Sequence, residues 1–174
     1  MAKVKILLSA VFVFLVVYDV SGQCDCVVER ARSYIGVRED TGNNDGEEVG
    51  YFLSTTGLGE GYAWCVAFLN AIHEECGQPT PEKGAWSPAW FPSSRTIYIR
   101  GKAEGISPQP GDVGGIYFRS KGRIAHGFLV EEWGNKIVTT IEGNTNEAGS
   151  REGDGVYRKR RLKKQVYKVS RWRD

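Results

Sequence analysis

Of 174 residues, 23 are Lys or Arg and 21 are Asp or Glu, a formal charge of +2 that predicts no nucleic-acid partner. No internal repeat, low-complexity segment or long linker divides the chain, so one domain with its own core is expected.

Lys3 and Lys5 precede an apolar stretch from Ile6 to Val17. About a dozen residues are too few to span a bilayer comfortably and suit a signal-peptide core. Tyr18 and Asp19 end the stretch, and Val20-Ser21-Gly22 places small residues before Gln23, so residues 1–22 read as a signal peptide cleaved near Gly22. An uncleaved membrane anchor is the rival reading, disfavoured because the flank turns polar quickly. Gln23 stands where a lipid-attachment signal has a small residue, which argues against lipoprotein anchoring at Cys24. The mature chain 23–174 loses two lysines and one aspartate and carries +1. A secreted or periplasmic monomer with no lasting membrane span is expected.

Asp25 is a good N-cap for a helix over 26–35, with Val27, Val28, Ala31 and Ile35 near helical spacing and Gly36 as its stop. Thr41 to Gly46 is turn chemistry, after which Asp45 caps a short helix over 47–53. Gly57, Gly59 and Gly61 lead into an apolar helix over 63–75, ended by Gly77 and Pro79. Residues 79–110 hold all six prolines and read as an irregular, aromatic-rich connection. Five strands follow, at 113–118, 125–131, 136–142, 156–161 and 166–172, short, β-branched or aromatic and separated by turns. Helices first and strands second predict an α+β fold, the helices packed on one face of an antiparallel β-sheet.

Cys65 sits at the start of its helix, where unpaired N–H groups and roughly half a positive charge favour thiolate over thiol. The N–H groups of Cys65 and Val66 can also face the oxygen of a tetrahedral intermediate. A buried helical cysteine is the plain alternative, since free cysteine is often buried; the partners tip the balance. His126 shares a strand face with Phe128 and Val130, where a polar ring needs a hydrogen-bond partner. The other histidine, His73, lies about two helical turns beyond Cys65 and cannot reach it. Glu142 ends the next strand and Asn144 follows it; a neighbouring antiparallel strand can bring either to the second ring nitrogen of His126. Cysteine, histidine and Glu/Asn are the parts of a cysteine hydrolase, which needs no metal or organic cofactor.

Four segments carry a resemblance: Trp64-Cys65-Val66-Ala67-Phe68, Gln109-Pro110-Gly111-Asp112 leading into a strand, Ala125-His126-Gly127-Phe128-Leu129-Val130, and Ile141-Glu142-Gly143-Asn144. In this order they resemble the CHAP family (cysteine, histidine-dependent amidohydrolase/peptidase), over about residues 26–161. The resemblance implies a papain-like fold and hydrolysis of amide bonds in peptidoglycan, by a stem-peptide endopeptidase or an N-acetylmuramoyl-L-alanine amidase. It makes Cys65 the nucleophile, His126 the base, Glu142 its orienting residue and Asn144 a further active-site polar residue. NlpC-type peptidases look similar but commonly use a histidine as third residue, and this chain has none after His126. One departure stands out. Many CHAP members carry glutamine just before the nucleophile, where this chain has Trp64, with Tyr62 the substitute donor. The candidate substrate-binding residues are Tyr62, Trp64, Trp86, Trp90 and Tyr117, each of which has packing between helices and sheet as its alternative. A papain-like acyl or amine transferase and a non-catalytic wall-binding module are the rival functions.

The chain has four cysteines, Cys24, Cys26, Cys65 and Cys76. With Cys65 as nucleophile three remain; Cys24 and Cys26 are too close to bridge each other easily, and one of them pairing with Cys76 leaves the other free. A zinc site from Cys24, Cys26, His73 and Cys76 lacks the compact paired spacing of zinc modules and is disfavoured. The basic run from Arg158 to Lys164 reads as a solvated strand end or hairpin rather than a polyanion site.

Overall fold

The computed structural model describes residues 21–102, 105–147 and 153–173, with side chains from Cys26 onward. The expected signal peptide and the side chain of Cys24 lie outside these described residues. Three helices, α1 (Ser21–Ser33), α2 (Glu47–Ser54) and α3 (Cys65–Glu75), precede a six-stranded antiparallel sheet. Its strands are β1 (Thr96–Ile99), β2 (Val113–Phe118), β3 (Arg123–Trp133), β4 (Ile137–Thr145), β5 (Gly155–Leu162) and β6 (Lys168–Ser170), in the order β1-β6-β2-β3-β4-β5. The α+β architecture is therefore present. Among the described residues no helix is long and apolar enough to cross a membrane.

Helix α1 starts before Asp25, which lies inside it rather than capping it. Asp45 does not cap α2 either; its carboxylate accepts from Thr41 N at 3.0 Å and closes the preceding turn, while Gly46 takes the cap position at φ 107°. Strand β1 lies inside the stretch expected to be irregular. It pairs only with β6, from the far end of the chain, and its four half-buried residues give no alternation to read. The expected strand over 166–172 shortens to β6, with a 3-10 turn at Lys163–Gln165 before it.

Two apolar layers cover the two faces of the sheet. On one, the helices supply Val27, Val49, Phe52, Phe68, Leu69 and Ile72 against Val113, Leu129 and Ile141. On the other, Phe128, Val130, Val138, Val166 and Val169 pack together, and Tyr98 of β1 meets Trp133 of β3 with ring centroids 5.1 Å apart. Strands β6 and β2 lie between those two, so the sheet curls toward this face.

Glycines set how closely α3 approaches the sheet. A Cβ on Gly127 would lie 2.7 Å from Val66 Cγ1, and one on Gly143 would lie 2.7 Å from the Trp64 ring and 2.8 Å from Phe68 Cβ. Real side chains do not tolerate such distances, so any larger residue here would push the helix off the strands. The two glycines directly follow His126 and Glu142. A disulfide between Cys26 and Cys76 ties α1 to the end of α3. That pairing takes up two of the four residues drawn for a zinc site, and His73 Nδ1 lies 2.8 Å from Leu69 O.

Candidate active site

Cys65 is the first residue of α3, and the helix opens with Phe68 N donating to Trp64 O at 2.9 Å. The N–H groups of Cys65 and Val66 belong to the first turn and have no intrahelical acceptor. Trp64 provides no side-chain cap. Its own N–H donates instead to Asn144 Oδ1, 3.3 Å away on β4, so a neighbouring strand caps the helix.

The sulfur meets three groups: the His126 imidazole, the Gly127 backbone N–H and the Ser87 hydroxyl. His126 Nε2 lies 2.7 Å from Glu142 Oε2. Glu142 also accepts from Thr140 Oγ1 and from both Nε and Nη2 of Arg161, so a carboxylate with no exposed surface has every oxygen engaged. The expected trio of Cys65, His126 and Glu142 thus comes together, joined by Ser87 and Arg161, which sequence reasoning did not single out. Arg161 was absorbed into the basic run, and only the β4–β5 pairing reveals its partner. Ser87 carried no signal beyond its proximity to Trp86.

The charges follow from these contacts. Burial alone would raise the Cys65 thiol. The hydrogen bond and charge of His126, the Gly127 N–H and Ser87 outweigh it and lower the thiol below its ordinary value. Burial likewise disfavours imidazolium, yet hydrogen bonds to Cys65 and Glu142 raise His126 to about 9. For Glu142 burial opposes ionisation, and His126 and Arg161 reverse this, taking the carboxyl down to about 2. All three directions agree on a thiolate–imidazolium pair backed by a carboxylate. The pair is reachable but not open: Cys65 is 6% exposed and the His126 side chain 12%.

Asn144, expected here as an alternative partner of His126, does other work. At φ 51° its amide donates to Asn44 Oδ1 at 3.0 Å and Glu39 Oε1 at 3.3 Å, while its oxygen caps Trp64. Glu39 in turn accepts from Trp64 Nε1 at 2.8 Å and from Asn44 N at 2.9 Å. This second polar cluster locks the residue before the nucleophile to the strand that carries Glu142. Glu39 went unnoticed in the sequence because its partners are 25 and 105 residues away.

The aromatic candidates divide. Trp64 and Trp90 are corrections: both have no exposed surface and cannot line a cleft. Trp64 is held by Glu39 among Phe52 and Gly143. Trp90 donates to Gly84 O at 2.9 Å and packs against His73 and Trp172. Tyr62, 58% exposed, and Trp86, 47% exposed, sit on the segments leading to Cys65 and Ser87. Tyr117 is exposed but packs on Tyr167, with ring centroids 5.0 Å apart. Asp112 of the Gln109–Asp112 segment is structural: buried, it accepts from Gln109 N at 2.8 Å and pairs with Arg171 at 2.8 Å.

No family model, curated protein or solved structure matches this chain.

Proposed function

We propose that the chain is a secreted cysteine hydrolase on a papain-like scaffold of the CHAP type, cleaving amide bonds of peptidoglycan. The observation that carries this reading is the convergence of Cys65, His126 and Glu142 at the start of α3, with charges biased toward thiolate and imidazolium. A structural cysteine needs no such partners. The Cys26–Cys76 disulfide suits an exported protein, since such bonds persist in oxidising compartments.

The chemistry follows from the positions. Cys65 thiolate adds to an amide carbonyl, forming a C–S bond, and the oxyanion faces the first-turn N–H groups of α3. Collapse breaks the C–N bond as His126 imidazolium protonates the leaving amine. Neutral His126 then takes a proton from water, which attacks the thioester and releases the acid, restoring thiolate and imidazolium. Glu142 holds the ring and stabilises its charged form throughout, and Arg161 and Thr140 hold Glu142.

The test is digestion of purified sacculi by the wild-type protein and Cys65→Ala, with muropeptides identified by mass spectrometry. A freed muramic lactyl group marks an amidase, and a new stem-peptide terminus marks an endopeptidase. Equal digestion by both proteins, or no new product from the wild type, would overturn the reading.

A further inference from the structure

The β2–β3 hairpin carries three cations, Arg119, Lys121 and Arg123, close in sequence to His126. Its tip is a 3-10 turn, Arg119–Lys121, closed by Gly122 at φ 63°, and Arg123 opens β3 opposite Phe118. His126 follows three residues later on the same strand. The Arg123 guanidinium lies over the Trp86 ring, 4.4 Å from its centroid. Trp86 is half exposed, and the next residue, Ser87, hydrogen-bonds the Cys65 sulfur. A chain of neighbours therefore leads from the nucleophile through Ser87 and Trp86 to Arg123.

Arg123 shares its pairing, an aromatic ring and no carboxylate, with Arg38, Arg95 and Arg100, but only Arg123 stacks on the residue next to Ser87. Arg158, Arg161 and Arg171 each meet a carboxylate, whereas among the described residues none lies within ion-pair distance of Arg119, Lys121 or Arg123. One Arg123 N–H donates to Ile124 O at 3.0 Å. A guanidinium has five such donors in a planar fork, and stacking on an indole fixes the plane while leaving its edge to bond. Set against the indole and without an acidic partner, such a group suits a carboxylate taken in a two-point grip.

We propose that Arg123, set by Trp86 and reinforced by Arg119 and Lys121, is a subsite for a free carboxylate of the substrate next to the scissile amide. The proposal rests on the hydrolase reading and narrows its substrate class to peptides with an ionised carboxyl within a residue or two of the cleaved bond. Replacing that carboxylate by a carboxamide keeps the shape and removes the charge, so the site would discriminate between the two.

Alkylation of Cys65 tests this without knowledge of the natural substrate. Iodoacetate carries the carboxylate and iodoacetamide its neutral counterpart, and their rate ratio at Cys65 measures the pull of the rim. His126 contributes equally in every variant. The ratio should fall about three- to tenfold in Arg123→Gln and recover partly in Arg123→Lys. The double variant Arg119→Gln/Lys121→Gln, on an exposed turn, should lower it by about twofold, and raised salt should lower it in the wild type. A peptide pair differing only in carboxylate against carboxamide beside the cleaved bond should show the same loss of preference. An unchanged ratio in both Arg123→Gln and the turn double variant would overturn the subsite while leaving the hydrolase intact. Failure of both reagents to label Cys65 would overturn the hydrolase reading and the subsite with it.

Discussion

The two histidines of this protein are both largely covered by the same fold, yet they are driven in opposite directions. His73 lies on α3 against Trp90, with one ring nitrogen on a backbone carbonyl, and burial takes it down to about 4. His126 keeps a little exposure, and Cys65 and Glu142 hold its charged form and raise it to about 9. Burial alone therefore does not mark a functional histidine. What separates the two is whether the ring meets a thiol and a carboxylate or only a carbonyl and apolar walls.

The comparison is sharpest in activity. Cys65→Ala should abolish turnover of peptidoglycan. His126→Ala should lower it by about 10²–10⁴-fold, as expected for loss of a general acid–base group. His73→Ala should leave the rate per folded molecule within about twofold while lowering stability by roughly 2–4 kcal/mol in thermal unfolding, the cost of a cavity in the core. A His73 variant as inactive as the His126 variant would erase the distinction.

Glu142→Gln probes the support behind the raised histidine. It leaves the partly covered Arg161 without its counter-charge, so we expect a loss of roughly 2–4 kcal/mol in denaturant unfolding, with partial activity. Full activity would mean that Glu142 does not orient the ring, and Asn144, bound to Trp64 and Glu39, is badly placed to replace it. Gly143→Ala should cost about 1–3 kcal/mol by forcing the Trp64 ring and Phe68 away from β4, and should lower turnover at the same time. Loss of stability with turnover unchanged would mean the close approach of α3 does not set the geometry at Cys65.

Stability against pH is the mildest contrast, and its two limbs have opposite signs. His126 is raised above its unfolded value of ~6.5, so its contribution is complete below that value and is lost as pH climbs through about 9. His73 is depressed, so the unfolded chain takes up its proton first, and stability falls as pH drops from ~6.5 toward about 4. Glu142, depressed to about 2, stabilises above ~4.5 and loses its contribution as pH falls toward 2. Unfolding temperatures of His73→Gln and His126→Gln across pH should flatten the acid and alkaline limbs respectively.

Much of this was legible in the chain before any fold was known. Strand β2 matches its expected bounds because Val113–Phe118 is closed by a turn at each end, and α3 follows from an apolar run from Cys65 to Ile72 interrupted only by Asn70. Cys65 could be picked out because it opens α3, and His126 and Glu142 because each sets a polar side chain in an otherwise largely apolar strand. What could not be read depends on pairing distant in sequence. Strand β1 exists through β6, Arg161 reaches Glu142 through the β4–β5 alignment, and Glu39 holds Trp64 across a folded loop. The aromatic assignments failed at Trp64 and Trp90 for a related reason. An indole beside a nucleophile and an indole under a helix look alike until the neighbours that bury them are in place.

The central claim is that His126 and Glu142 make Cys65 a thiolate well below the pH at which an ordinary thiol ionises. The rate of Cys65 alkylation by iodoacetamide against pH measures it most directly, followed by peptide mapping to separate Cys65 from Cys24. The account predicts that Cys65 reacts below the pH range of an ordinary thiol, with a second inflection near 9 as His126 loses its proton. A single rise centred on the ordinary thiol value of ~8.5 would contradict it.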